Sequence, residues 1–171
     1  MRRAIVLFVP EPIATLVDEL RRRWDPAMSA RIDAHLTLVH EVTDHDAATR
    51  RVDEVAALTA PLAVTLTTTR CWSRASYGVY LDVDDRGGAV VALHGQLADL
   101  EAPAWARVAY RPHVTLVHGR TVDPALADQA WASLCDRRMD WLVELPAIDV
   151  IELDEATGWS SVQRTPFASG G

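Results

Sequence analysis

The hexapeptide His35-Leu-Thr-Leu-Val-His40 occurs again as His113-Val-Thr-Leu-Val-His118, with five of the six positions identical. Each copy is an apolar, β-branched run, which predicts a strand, and in a strand its first histidine and its threonine leave the same face. The predicted core positions point to the opposite face and are Leu36, Leu38, Val114 and Leu116. By the same alternation, the last histidine of each copy is predicted to turn away from the motif face.

Histidine and threonine in this pattern suit acid–base chemistry on a phosphoester. Imidazole titrates near neutrality, so one ring can act as the base and its partner as the acid. A short hydroxyl beside each ring can bind the non-bridging phosphoryl oxygens. We therefore predict His35 and His113 as catalytic residues and Thr37 and Thr115 as phosphate-binding residues, with no metal or other cofactor. The alternative is two ordinary strand histidines, with threonines present for their β-propensity.

Composition narrows the class of protein. The chain has 171 residues, 49% hydrophobic and 24% charged, and a formal net charge of −7. We expect one domain, and the acidic balance argues against DNA or long nucleic acid as a partner, since those need many basic contacts. A small cyclic nucleotide or an RNA end in a local basic cleft is still compatible. Cys71 and Cys135 lack metal-ligand spacing, and we expect reduced thiols in a cytoplasmic monomer without membrane contact.

The hydrophobic pattern predicts a single α+β unit with internal pseudo-symmetry, because each hexapeptide is followed by a helix. The apolar run at 4–9 ends at Pro10, which favours a first strand over a signal peptide. The first helix should begin at Pro12, the second at Asp44 or Asp46, and the fourth at Asp123-Pro124. Strands are predicted at 3–9, 34–42, 62–72, 76–84, 108–118, 141–153 and 159–166, with a loop at 24–33 and a hairpin turn at 73–75.

Four further side chains are candidates for substrate contact. Arg111 shares the predicted face of His113, and Arg120 lies just beyond that strand, so either can reach the reacting phosphate or a second phosphoryl group. Tyr80 and Trp72 are candidates for stacking on a base. For each, the alternative is an ordinary exposed or packing residue. The histidines His40 and His118 are predicted to be structural, unless a bulge reverses their direction.

With these motifs in place, the sequence resembles the two-histidine phosphoesterase superfamily, particularly the bacterial RNA 2′,3′-cyclic phosphodiesterases known as 2′,5′-RNA ligases. The residues that carry the resemblance are His35-Leu-Thr-Leu38 and His113-Val-Thr-Leu116. The segments before them, the opening strand and the closing hairpin extend it over nearly the whole chain. The resemblance implies two pseudo-symmetric lobes of mainly antiparallel sheet, with outer helices around a central groove.

The resemblance also implies a function: metal-independent hydrolysis of cyclic or 2′–5′ phosphodiesters, with both histidines catalytic and both threonines on the phosphate. A 2′,3′-cyclic phosphate opened to a 2′-phosphate is the expected reaction. Two alternatives stay open, namely a 2′,5′-RNA ligase or 2′–5′ esterase, and a non-catalytic phosphoryl-binding module. The sparse basic residues near the motifs depart from a common form of the group and disfavour long RNA.

Overall fold

The computed structural model describes residues 1–72, 78–135 and 137–168. Within them lie eight β-strands and five α-helices, in an order close to the predicted one. The strands are β1 (Arg2–Phe8), β2 (His35–Val39), β3 (Leu62–Cys71), β4 (Val79–Asp84), β5 (His113–Val117), β6 (Arg138–Leu145), β7 (Ala147–Asp154) and β8 (Gly158–Pro166). The helices are α1 (Ile13–Trp24), α2 (Pro26–Ser29), α3 (His45–Ala56), α4 (Ala89–Leu97) and α5 (Pro124–Leu134).

The strands form an antiparallel sheet in the order β6-β3-β4-β5-β2-β1-β7-β8. Its centre is the boundary between β5 and β2, which carry the two copies of the hexapeptide. Across that boundary Leu36 pairs with Val114, and these two residues hold the same position in the two copies of the hexapeptide. Four strands therefore lie on each side of a pseudo-twofold axis, which confirms the predicted α+β fold with two related halves.

The helices begin where their capping residues predict. The Asp44 side chain accepts a hydrogen bond from the backbone N–H of Ala47 at the start of α3. The Asp123 side chain does the same for Leu126 at the start of α5, where Pro124 occupies the first turn. The basic last turn of α1 places cations at the carboxyl end of that helix, as its dipole favours.

One face of the sheet is covered by helices, and it carries the main core. Leu36 and Leu38 of β2 are fully buried there, and so are their counterparts Val114 and Leu116 of β5. Buried residues of α1, α3, α4 and α5 belong to the same apolar cluster. Because side chains alternate along a strand, this burial directs the motif histidines and threonines to the opposite face. The helices lie on the outside and the motif face is left for a groove.

A bulge in each central strand overturns one prediction. Ile5 pairs with Val39 and Val6 with Thr37, so Leu38 is an extra residue in β2. On the other side Val79 pairs with Val117 and Tyr80 with Thr115, so Leu116 is the extra residue in β5. Val39 and Val117 are accordingly buried in the core beside the leucines. After such a bulge the alternation reverses, and the prediction that His40 and His118 turn away from the motif face is wrong.

Three other boundaries differ from those predicted. The expected strand at 141–153 is two strands, β6 and β7, which part at Pro146 and lie in opposite halves of the sheet. A proline lacks the N–H that a continuous ladder needs, which explains the break. The expected loop at 24–33 contains α2, whose N-cap is Asp25. The strand predicted at 108–118 begins only at His113, directly after Pro112. The predicted turn at 73–75 lies outside the described residues.

Among the described residues, no helix is both long enough and apolar enough to cross a bilayer.

Candidate active site

The register of the two central strands places all four motif side chains around one point. Leu36 pairs with Val114 in an antiparallel sense, so His35 lies opposite Thr115, and Thr37 lies opposite His113. All four residues are on the face away from the helices. Directly opposed residues in such a pair are close neighbours, and diagonal ones lie ~7–8 Å apart, with their Cβ atoms somewhat closer. The two histidines are diagonal neighbours, with a threonine across from each.

Each imidazole is held by a hydrogen bond to its own strand. Nδ1 of His35 lies 2.8 Å from the carbonyl oxygen of Asp33, and Nδ1 of His113 lies 2.7 Å from that of Arg111. A carbonyl only accepts, so Nδ1 donates in both rings and the neutral tautomer carries its lone pair on Nε2. Within the described residues neither Nε2 has a hydrogen-bond partner. Both rings are therefore oriented to exchange a proton through Nε2 with a bound group.

The surroundings favour the neutral form of both rings. Burial lowers the pKa of His35 to about 4, against the hydrogen bond to Asp33 and with smaller contributions from the charges of Arg21, His113 and His40. Burial also lowers the pKa of His113, again partly offset by its backbone hydrogen bond. The charge of one motif histidine thus affects the other, as expected for neighbours. A bound phosphate would oppose both shifts, since an anion favours the protonated ring.

The two threonines of the motifs are half-buried, and their hydroxyls have no partner within the described part of the chain. The backbone of Thr37 is fixed from below the groove: the hydroxyl of Tyr110 donates to its carbonyl oxygen at 3.2 Å. Tyr110 in turn stacks on the ring of His94, with ring centres 3.7 Å apart. Each threonine hydroxyl is thus available on the same face as the imidazoles, where a phosphoryl oxygen would lie.

The half of the groove around His113 has an aromatic wall. Trp72 and Tyr80 stack with ring centres 4.2 Å apart, and both meet the imidazole edge-on, at 5.0 and 5.4 Å. The guanidinium of Arg111 also lies over the Tyr80 ring, 5.5 Å from the ring centre. Two hydrogen bonds, of 2.9 and 3.2 Å, hold Arg111 to the carboxylate of Asp82.

The structure places the four predicted substrate contacts in different surroundings. Tyr80 is only 2% exposed, and its ring is covered by Trp72 and Arg111, so it supports His113 and has no free face for a base. Arg111 is brought to the site, but Asp82 neutralises it. Trp72 borders the groove and is half-buried. Arg120 lines a cavity that is described below.

The half around His35 is different in kind. Phe8 pairs with His35 in the sheet and meets its ring edge-on at 6.2 Å. Behind it lies a small second apolar cluster of Ala4, Val6, Ile32 and Ile151. Arg21, which is 1% exposed, donates to the carbonyl oxygen of Ile32 at 2.7 Å and so fixes the segment leading to the motif.

The second histidine of each hexapeptide is anchored by a buried carboxylate that sequence reasoning missed. Glu101 accepts from the backbone N–H of His40 at 2.9 Å and that of Glu41 at 3.0 Å. Asp25 accepts from the backbone N–H of His118 at 2.8 Å. These acids lie 61 and 93 residues from their partners, so no local pattern links them.

His40 and His118 each follow a bulge that turns them to the motif face. On that face, the charge of His40 contributes to lowering the pKa of both motif histidines. Nδ1 of His118 accepts the backbone N–H of Arg120 at 3.2 Å, as expected for a histidine bonded to a loop. Among the described residues, no group of three or more histidine, cysteine or acidic side chains is arranged to hold a metal ion.

The paired motifs and the pseudo-symmetric sheet agree with a family match. Residues 9–157 match the model of the 2′-5′ RNA ligase superfamily. The chain belongs to this superfamily. Members of the superfamily are two-histidine phosphoesterases, which makes this chain a phosphoesterase-type enzyme. No curated protein matches the chain.

Solved structures share the fold of this superfamily member at low sequence identity. The protein TT0787 of Thermus thermophilus is 15% identical over 100% of both chains, with a TM-score of 0.68. E. coli LigT complexed with NADP+ is 16% identical over 98% of both chains, with a TM-score of 0.69. Kluyveromyces marxianus Usb1 with uridine monophosphate is 11% identical over 94% of this chain and 97% of its own, with a TM-score of 0.53.

Proposed function

We propose that this protein is a phosphodiesterase that hydrolyses 2′,3′-cyclic phosphates of nucleotides or RNA ends to 2′-phosphates, with His35 and His113 as its acid and base. The observation that carries the proposal is the diagonal placement of the two imidazoles around the Leu36–Val114 pair. Each ring is fixed through Nδ1, so both can act through Nε2 on one bound phosphorus. The superfamily supports the class of reaction.

The reaction needs two proton transfers at opposite sides of the phosphorus. One imidazole, neutral at Nε2, accepts a proton from water while the water oxygen forms its bond to phosphorus. The other imidazole, protonated, donates its Nε2 proton to the 3′-oxygen as the bond from phosphorus to that oxygen breaks. The product is a 2′-phosphomonoester with a free 3′-hydroxyl, and the two rings have exchanged protonation states.

The threonines supply the second requirement, which is stabilisation of charge on the non-bridging oxygens. Thr37 lies across from His113, and Thr115 lies across from His35. A phosphate between the two rings therefore has a hydroxyl on either side. Hydroxyl donors already placed where negative charge grows lower the barrier without reorganisation during the reaction. The substrate's orientation decides which ring is the acid, because the pseudo-twofold axis gives the two rings the same place on the backbone.

The test is product analysis with a 2′,3′-cyclic nucleotide and with RNA half-molecules that carry a 2′,3′-cyclic end. We expect opened rings with the phosphate on the 2′-oxygen, at the same rate with and without a chelator. Joined RNA products would instead favour the ligase, and tight binding without turnover would favour a binding module. Activity that is lost in chelator and restored by zinc would contradict the two-histidine mechanism.

A further inference from the structure

A second cavity lies beside the motif groove, at the end of β2. Its volume is about 350 Å³, within the range of small-molecule sites. It is lined by Arg2, Glu41, Ala104, Trp105, Val108 and Arg120. These residues come from β1, from the segments that follow the two motif strands, and from the loop before β5. No residue of the proposed acid–base machinery is among them.

The charge of the cavity favours an anion. Two guanidinium groups face one carboxylate, that of Glu41, and within the described residues neither arginine forms an ion pair. The Arg2 side chain donates from Nη2 to the carbonyl oxygen of His40 at 3.3 Å. Its Nε is buried and has no hydrogen-bond partner in the described part of the chain. Since neither guanidinium has a carboxylate partner in the described part of the chain, an anion in the cavity would supply the missing counter-charge.

The cavity also offers an aromatic surface and adjoins the reacting groups. Trp105 stacks on His40 with ring centres 4.4 Å apart and planes only 7° from parallel. The bulge in β2 returns His40 to the face of His35 and Thr37, and its charge lowers the pKa of both motif histidines. Arg120 follows His118, whose pKa is lowered by burial and by the charges of Arg120 and Arg2. Through Trp105 beside His40 and Arg120 beside His118, the cavity adjoins the ends of both motif strands.

We propose that this cavity, lined by Arg2, Trp105 and Arg120, binds a second phosphate of the substrate. The inference rests on the proposed function and narrows its substrate: the phosphate 5′ to the terminal nucleotide occupies the cavity while the cyclic phosphate lies between the motif histidines. Trp105 and Val108 supply apolar surface to the adjoining sugar or base. The preferred substrate is then a dinucleotide or longer RNA end, and a cyclic mononucleotide reacts more slowly.

The first test compares two substrates with the same terminal base, a 2′,3′-cyclic mononucleotide and a dinucleotide ending in a 2′,3′-cyclic phosphate. For the wild type we expect kcat/KM to be about ten-fold or more higher with the dinucleotide, since a charge-assisted phosphate contact is a strong one. Arg120→Gln should remove most of that preference and change the mononucleotide rate less than two-fold. Equal losses on both substrates, or no loss on either, would overturn the proposal.

Two controls sharpen the comparison. Arg107→Gln removes an exposed cation from the loop before β5. Arg107 does not line the cavity, so this variant should keep the preference for the dinucleotide. Arg2→Gln should also lose the preference, but Arg2 packs over the ring of Trp159 at 5.6 Å. Its variant therefore needs a matching thermal unfolding curve, and Arg120→Gln carries the test if Arg2→Gln does not fold.

A binding measurement separates this proposal from the proposed reaction. Calorimetry with a nucleoside 2′,5′-bisphosphate and with the 2′-monophosphate requires no turnover. We expect the wild type to bind the bisphosphate about ten-fold more tightly than the 2′-monophosphate. Arg120→Gln should bind the two ligands with equal affinity. Equal affinities for the wild type would refute the second phosphate site even if cyclic phosphates are hydrolysed. A clear bisphosphate preference in a protein without hydrolysis would keep the site and reject the reaction.

Discussion

The two halves of the groove share a backbone design but differ in what surrounds the catalytic candidates. In both halves a histidine donates from Nδ1 to the carbonyl two residues earlier, and a bulge follows at the same motif position. Around His113 the neighbours are aromatic and charged, namely Trp72, Tyr80 and the Asp82–Arg111 pair. Around His35 the paired neighbour is Phe8, backed by a small apolar cluster.

The backbone arrangement that the two halves share is what a symmetric reaction at phosphorus needs. The side chains that differ around the two histidines are where substrate selection can arise. Either ring can give or take a proton, so the geometry around Nε2 is repeated. A substrate is not symmetric, because its leaving oxygen carries a nucleoside and the attacking water does not. We therefore expect changes to the repeated parts to affect all substrates, and changes to the His113 wall to act more weakly and more selectively.

The largest effect should follow loss of either imidazole. His35→Ala and His113→Ala are each expected to lower kcat for cyclic phosphate hydrolysis by about 10²–10⁴-fold, the usual contribution of a positioned acid or base. His45→Ala, at the first residue of α3, is the matched control and should keep the wild-type rate. A variant of either motif histidine with near-native turnover would remove that residue from the mechanism.

Loss of one threonine hydroxyl should come next. Thr37→Val and Thr115→Val keep the β-branched shape and are each expected to lower kcat by about 10²-fold, as for other single donors to a developing charge. If the halves are equivalent at the phosphate, the two losses agree within a few-fold. Thr67→Val is the control, because Thr67 lies on β3 and donates to the carbonyl oxygen of Asp82. A loss confined to one motif threonine would show that the phosphate lies in one half.

Much of this architecture was readable from the sequence, because the signals are local. The alternation around Leu36 and Val114 fixed which face of each strand is buried, and Asp44 and Asp123 marked the starts of two helices. The repeat itself predicted the pseudo-symmetry that the sheet order shows. The repeat also predicts the four motif residues as a group, and the structure brings them to one face.

The features that the sequence did not predict depend on contacts between residues far apart in the chain. A bulge is set by pairing with the neighbouring strand, so the hexapeptide alone could not show that His40 and His118 return to the motif face. Tyr80 alternates as an exposed residue would, yet Trp72 and Arg111 cover it. The buried anchors Glu101 and Asp25 are far from their partners in the chain. Polar residues in loops give no sign of such pairing.

A smaller effect is expected from Gly78→Ala, which tests the aromatic wall. A Cβ at this position would lie 2.7 Å from Cδ1 of Trp72, so the indole must move off Tyr80 and His113. Aromatic contacts of this kind are worth about 0.5–1.5 kcal/mol, or roughly 2–12-fold in kcat/KM. Gly95→Ala is the control, since nothing lies within 4 Å of its added Cβ. Unchanged kinetics and an unchanged pKa of His113 would show that the wall does not support the ring.

The smallest expected effect concerns the pH dependence of the wild type and of Asp82→Asn. In the free protein burial lowers the pKa of both motif histidines, that of His35 to about 4. At pH 7 both rings are then mostly neutral, whereas the reaction needs one of them protonated. The value of kcat/KM should therefore rise as the pH falls below 7 and decline again near pH 4, when both rings become protonated.

Asp82→Asn distinguishes the two limbs of that profile. The Asp82 carboxylate raises the pKa of His113, and it is not among the charges that act on His35. Removing it should lower the pKa of His113 further and leave that of His35 unchanged, as measured by NMR titration of each ring. Asp84→Asn, which removes a carboxylate of the same strand paired with Arg86, should shift neither ring. Equal shifts of both rings in Asp82→Asn would mean that the two histidines titrate as one coupled pair, and the contrast between the halves would then be confined to packing.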